Sequence, residues 1–175
     1  MMKRLIKKLL RENLEEEIKF FDTKDGDIGW DRTNIVITNE KGDDVGYAVL
    51  DFKMDTEDYV TSSYEDPDAE YVDPDLGRHF PQGNAAKLNH IEIFQDFRGD
   101  KVKRYGSQLM NAILQRCKEE NVKTIFLNAT PVGPEPRPTI EDLLRFYSRF
   151  GFEVVKIAGA HDMVSQLKEN KKRGN

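Results

Sequence analysis

Between Met54 and Gly77 the chain carries nine acidic residues (Asp55, Glu57, Asp58, Glu65, Asp66, Asp68, Glu70, Asp73 and Asp75) and no lysine or arginine. Carboxylates at that density cannot enter a core without partners, so the segment divides the foldable chain into an earlier and a later part. It carries −9 within a chain of net charge −5, which leaves +4 for the remainder. Tyr-Glu-Asp-Pro-Asp at 64–68 is echoed by Tyr-Val-Asp-Pro-Asp at 71–75, an echo too short for a repeat architecture. The prolines argue against a central strand. The expectation is a solvated, mobile loop that repels phosphates and attracts cations, in preference to an aspartate metal cage, and no metal is assigned. Overall acidity argues against duplex DNA as a generic ligand, although Lys3, Arg4, Lys7, Lys8 and Arg11 in front and Lys168 and Lys171 behind make both ends basic.

A length of 175 residues favours one domain with a substantial core, and 38% apolar content supports a fold. No apolar run approaches the ~20 residues of a membrane helix. Met1 to Leu10 lacks a continuous apolar region and is not read as a secretory signal. The single cysteine excludes an internal disulfide and a Cys-rich zinc site, which fits a reducing, cytoplasmic setting. Cys117 shares a helical stripe with Met110, Ile113 and Leu114 and reads as a buried structural thiol.

Apolar residues at 2, 5, 6, 9 and 10 predict a helix at the start of an extension over 1–32 that packs on the domain. Residues 14–21 are open between helix and strand. Asp22 to Gly29 is a turn without EF-hand spacing. Asn34 to Thr38 and Val45 to Phe52 are β-rich runs joined by a hairpin turn, and Leu88 to Phe94 is a further strand. A helix is predicted over Ser107 to Glu120 and a strand over Lys123 to Asn128. Four prolines between Thr130 and Pro138 impose a structured, non-helical loop. Thr139 with Asp142 opens a second helix as a capping-box variant, and Gly151 stops it. Phe152 to Ile157 and His161 to Leu167 read as closing strands, and 168–175 as a disordered basic tail. This order indicates an α/β (α+β) domain with a mixed sheet.

Chemistry concentrates where a strand, a basic loop and a helix start meet. Lys101, Val102, Lys103, Arg104 and Tyr105 lead into Gly106 and Ser107. The first turn of a helix leaves N–H groups unpaired and its dipole favours an anion. Gly106 and Ser107 admit a phosphate close to the backbone, and Lys101, Lys103 and Arg104 add positive charge. An ordinary basic loop before a Gly-Ser helix start is an equal reading on this evidence alone.

This block resembles motif A of the GNAT superfamily of acyl-CoA-dependent N-acetyltransferases, Gln/Arg-x-x-Gly-x-Gly/Ala before a helix. Val102 to Asn111 is similar to the version in histone acetyltransferases of that superfamily. A second block, Leu144-Arg-Phe-Tyr-Ser-Arg-Phe-Gly-Phe-Glu153, is similar to the family's Phe-Tyr-x-x-x-Gly-Phe-Glu. The resemblance covers roughly Asn34 to Leu167 and implies a GNAT-like domain over 33–167. Such a domain has a mixed, mostly antiparallel sheet, helices on both faces and a splayed cofactor cleft. Two positions depart from the pattern. Arg104 stands where the family has its first Gly and Lys101 where it has Gln/Arg, while Arg98-Gly99 upstream looks like the more familiar pair. Ile140 stands near the place of a common Asn.

The resemblance implies an N-acetyltransferase that carries an acetyl group from acetyl-CoA to a primary amine by direct attack, without a cysteine nucleophile. Ile93 or Phe94 would offer backbone hydrogen bonds to the pantetheine arm. Tyr147 would protonate or hydrogen-bond the departing thiolate, against a reading as a core aromatic beside Phe146 and Phe150. Glu92 is the candidate base, against a surface carboxylate, with His90 as the alternative. Asn128 would orient the amine or cap its strand. The acceptor is a small molecule, a protein lysine or an N-terminus, and the acidic loop would suit a cationic one. No nucleic-acid or membrane partner is expected, and the chain would be a monomer or homodimer. The rival reading is a non-catalytic acyl-CoA-binding or protein-interaction module with the same fold.

Overall fold

In the computed structural model the described residues are 17–24, 31–55, 80, 83–98, 104–133, 135–155 and 162–167. The helix expected over 2–11, the acidic segment from 56 onward, Lys101, Val102, Lys103 and the tail lie outside them. Thr33, Ile35 and Ile37 are buried while Arg32, Asn34 and Val36 between them are only half-buried, the period of a strand with one buried face. They sit in β2 (Asp31–Thr38), which turns back into β3 (Asp44–Asp55). The turn is held by Asn39, whose Oδ1 accepts from the N–H groups of Lys41 and Asp43, and Gly42 takes its φ of +84°. The residues left open between helix and strand form β1 (Ile18–Lys24), antiparallel to β2. Arg116 ties this edge strand to the first helix by an ion pair with Asp22 at 2.9 Å.

β4 (Asn84–Ile93) starts four residues before the predicted Leu88, because its first half is assembled by neighbours on both sides rather than by its own alanines. Helix α1 (Tyr105–Glu119) presents Leu109, Met110, Ile113 and Cys117 to β2, β3 and β4. β5 (Thr124–Asn128) sends Ile125 and Leu127 into the same cluster, while Phe126 meets Phe80 edge-on at 5.6 Å. In α2 (Ile140–Ser148) the capping box forms as the spacing predicts. The Thr139 hydroxyl accepts the Asp142 N–H, and the Asp142 carboxylate accepts the Thr139 N–H. The Thr139 hydroxyl also donates to that carboxylate, and with the Thr139 N–H it holds the Asp142 carboxyl below its ordinary range. β6 (Glu153–Val155) and β7 (Asp162–Gln166) close the sheet within the predicted runs. The strand order is β1-β2-β3-β4-β5-β7-β6, and β4–β5 is its parallel pair. The expected mixed, mostly antiparallel sheet is therefore present.

One irregularity governs the rest. Leu50 pairs with Leu88 but Val49 pairs with His90, so Asn89 is an extra residue, a β-bulge. Upstream of it, Ala86 and Leu88 face the core. Downstream, Ile91 pairs with buried Ala48, so the odd-numbered residues Ile91 and Ile93 now share that face. His90 and Glu92 turn to the other face with Tyr47 and Val49. Asn89 is fixed there by donating to Asp51 Oδ2. Asp51 is 3% exposed and takes both Nε and Nη2 of Arg32, at 2.7 and 3.1 Å. A buried carboxylate needs that bidentate partner.

Arg32→Ala should therefore destabilise the chain by ~2 kcal/mol, below the usual figure for a fully buried pair because Arg32 itself is half open to water. The check is the urea midpoint with its slope unchanged. A midpoint equal to the wild type would show that Asp51 does not depend on Arg32.

Candidate active site

β4 and β5 pair only over Ala85–Leu88 with Thr124–Leu127. Beyond that point β4 runs on to Ile93, whereas β5 ends at Asn128 and the chain leaves into the proline loop. The two strands part, and the gap continues into a cleft of about 780 Å³. Its walls include Ile91, Ile93, Gly106, Phe146, Tyr147 and the loop residues Pro131 and Pro136. The hydrogen-bond pattern fixes which backbone groups face it. Phe94 N–H donates to Val45 O at 2.9 Å, so Gly46 and Ile93 form the next, non-bonded pair of the antiparallel ladder. The N–H and C=O groups of Ile93, and of Ile91 two residues earlier, consequently point away from β3 toward the gap. The Phe94 N–H is taken by Val45, and its carbonyl accepts from Phe97 N–H.

The start of α1 forms the floor. Arg104 is the N-cap residue, with φ 52° and ψ 44° in the left-handed region, and gives no side-chain cap. This explains how arginine stands in a glycine place: the backbone keeps the conformation glycine favours, at a cost of about 1–2 kcal/mol. Ser107 N–H donates to Arg104 O at 2.9 Å, leaving first-turn Gly106 on the cleft wall. A Cβ at Gly106 would meet Phe146 at 3.6 Å and Ile93 at 3.7 Å, both ordinary contacts. Nothing in the described packing requires glycine there.

Tyr147 lies on α2 at the cleft wall, 5% exposed, packed edge-on against Phe146 at 5.3 Å and near Phe152 at 5.9 Å. It is both a core aromatic and a cleft residue. Burial pushes its phenol up to about 12, so it stays protonated at any physiological pH. Glu92 also lines the cleft but is not a lone carboxylate. Arg98 Nη2 meets its Oε1 at 3.0 Å, and His90 Nε2 stands 3.4 Å from its Oε2. The His90 ring in turn stacks on Tyr47 at 4.9 Å. The structure thus gathers Ile93, Arg104, Tyr105, Gly106, Ser107, Glu92 and Tyr147 around one space.

Asn128 is placed differently. Its amide donates to Asp162 at 2.8 Å, and its oxygen accepts from the Thr130 hydroxyl, so both ends join β5 to β7 and the loop. Arg98 was legible only as a phosphate candidate, because nothing in its spacing shows that the side chain turns back onto β4. The Cys117 thiol is raised by burial and sits in the α1 core, as the helical stripe predicts. Among the described residues no cluster of His, Cys, Asp or Glu is arranged to hold a metal ion, and no helix is long and apolar enough to cross a membrane.

No family model and no curated protein sequence matches the chain. Solved structures do. An agmatine N-acetyltransferase variant in its apo form is 13% identical, with a TM-score of 0.51, over 77% of this chain and 76% of that one. The NatC complex bound to Gag peptide and CoA is 13% identical, with a TM-score of 0.46, over 77% and 71%. Ard1 from Thermoplasma volcanium is 19% identical, with a TM-score of 0.45, over 78% and 71%. The shared property is the fold, which is that of the GNAT superfamily.

Two outcomes follow from this geometry. Arg104→Gly should raise stability by ~1 kcal/mol in a urea titration by relieving the left-handed backbone; a loss would mean that the arginine side chain contributes more than its backbone costs. For Tyr147, folded and unfolded phenols are both protonated below pH 10, so stability is flat there. Between pH 10 and about 12 the unfolded form loses its proton first, and stability falls as pH rises. The loss amounts to ~3 kcal/mol across that window and should vanish in Tyr147→Phe. Identical alkaline profiles for both chains would refute the shift.

Proposed function

We propose that this chain is an N-acetyltransferase that moves an acetyl group from acetyl-CoA to a primary amine by direct attack. The observation that carries the reading is the opening of the sheet between β4 and β5 beside the start of α1, at a glycine that packing does not require. A missing Cβ at a helix start lets a phosphate approach the first-turn N–H groups. The exposed edge of β4 suits an arm carrying amides, which would pair with it as a further strand does. Both features fit the two halves of one donor, and the sequence resemblance points to the same molecule.

Bound acetyl-CoA supplies a thioester carbonyl and a thiol leaving group. The chain's own residues would then divide the work. Gly106 and Ser107, with the charge of Arg104 and beside Tyr105, would hold the pyrophosphate; Lys101, Val102 and Lys103 are candidates for the same role by sequence alone. Ile93 and Ile91 hold the pantetheine by the β4 edge. Glu92 takes the proton that the ammonium must lose before its nitrogen can attack, and His90 lies next in line. The C–N bond forms as the C–S bond breaks; the nitrogen then sheds a second proton, which balances the one the departing thiolate takes up, and Tyr147 relays that proton or hydrogen-bonds the sulfur. Burial keeps the phenol neutral, and its raised pKa favours a hydrogen bond to the sulfur over full transfer of the proton. The acceptor class is a small amine, a lysine side chain or an N-terminus, and the acidic segment favours a cationic one.

The test is a calorimetric titration with acetyl-CoA, with dephospho-CoA and adenosine monophosphate as controls, followed by thiol release with a panel of amines. Gly106→Ala should leave the free chain as stable or ~0.5 kcal/mol more stable, yet weaken acetyl-CoA binding about tenfold or more. Tyr147→Phe should lower turnover by roughly 10²-fold with affinity nearly unchanged. Binding without thiol release from any amine would point to a non-catalytic module, and no binding at all would leave only a shared fold.

A further inference from the structure

Arg98 follows the short 3-10 turn Gln95–Phe97, and its side chain folds back onto the strand it has just left. Nε donates to Ile93 O at 2.6 Å, Nη2 to Glu92 Oε1 at 3.0 Å, and Nη1 to Pro136 O at 3.1 Å. Three acceptors in three directions match the rigid fork of a guanidinium and cannot be met together by an ammonium. The acceptors belong to opposite walls: Glu92 and Ile93 to β4, Pro136 to the loop after β5. A second observation shows that the loop is shaped to this contact. Gly133 has φ +88°, and a Cβ there would stand 3.1 Å from Arg98 Nη2 and 3.2 Å from Glu92 Oε1. The loop therefore comes down on the ion pair with bare backbone.

We infer that Arg98 is a positioning residue that sets the width of the cleft by tying its loop wall to its β4 wall and aiming the Glu92 carboxylate. It also withdraws the Ile93 carbonyl from the open strand edge. A ligand arm is thereby directed to the Ile93 N–H and to Ile91, a consequence that rests on the acyl-CoA reading, whereas the clamp itself does not.

Nitrogen-15 NMR of the full chain without ligand tests the clamp directly. The Arg98 Nε–H should exchange with solvent about tenfold more slowly than a free guanidinium, the protection expected of one charge-assisted hydrogen bond. In Arg98→Ala and in Arg98→Lys the amide resonances of Val132, Gly133 and Arg137 should shift or broaden together. Ethylguanidinium should restore them in Arg98→Ala and change nothing in the wild type. Rapid Nε–H exchange in the wild type, which needs no variant to fold, would overturn the inference. Loop resonances unmoved in Arg98→Lys would do the same, since any cation would then suffice. Acetyl-CoA titration of the same samples separates the two claims: weaker binding by the variants supports the directed edge, and no binding by the wild type defeats the acyl-CoA reading while the clamp stands.

Discussion

One extra residue in β4, held by a buried carboxylate, sets the geometry from which the cleft follows. Asn89 shifts the side-chain parity of the strand, so that Ile91 and Ile93 continue the apolar face begun by Ala86 and Leu88. Glu92 and His90 are carried to the opposite face by the same shift. The hydrogen bond from Asn89 to Asp51, and the Arg32 fork behind it, fix the bulge at the centre of the sheet rather than at an edge. A bulge bends and twists its strand, and the point where β4 stops pairing with β5 comes immediately before it.

An open strand edge inside a sheet is a liability, because its N–H and C=O groups invite pairing with any extended chain. Here the edge is narrowed on three sides. A proline-rich loop supplies a stiff wall with few competing donors, Arg98 covers one carbonyl, and Phe146 and Ile93 close over the start of α1. What is left is an open strand edge in a cleft lined by Ile91, Ile93, Phe146 and Tyr147.

Charge and burial divide the cleft into unlike ends. Arg104, in a backbone conformation that works against its own side chain, stands at the helix start where negative charge is favoured. Tyr147 sits among Phe146 and Phe152, where an anion would be poorly solvated and the phenol keeps its proton. Glu92, paired with Arg98, is a further cleft residue, and Asp142 is a second carboxylate in the lining. Local strain at Arg104 is tolerated because α1 is anchored elsewhere by Leu109, Met110 and Ile113 in the core.

Much of this was readable in the chain. The hairpin turn at Asn39, the capping box at Thr139, the stop at Gly151 and the stripe through Cys117 are local, and each depends on residues a few positions apart whose hydrogen bonds or periodicity decide the outcome. Even the bulge leaves a trace, since the apolar spacing changes from two to three between Leu88 and Ile91, although the strand reads as regular without a partner to show the extra residue. The two motif blocks marked the helix start and Tyr147 for the same reason: their geometry is carried by contiguous residues. What only the tertiary structure decided is the face of Glu92, the backbone groups that open toward the gap, the three acceptors that Arg98 meets, and the partners of the Asn128 side chain. These depend on register between strands and on contacts between residues far apart in sequence, and no local pattern encodes which partner a side chain will meet across a sheet.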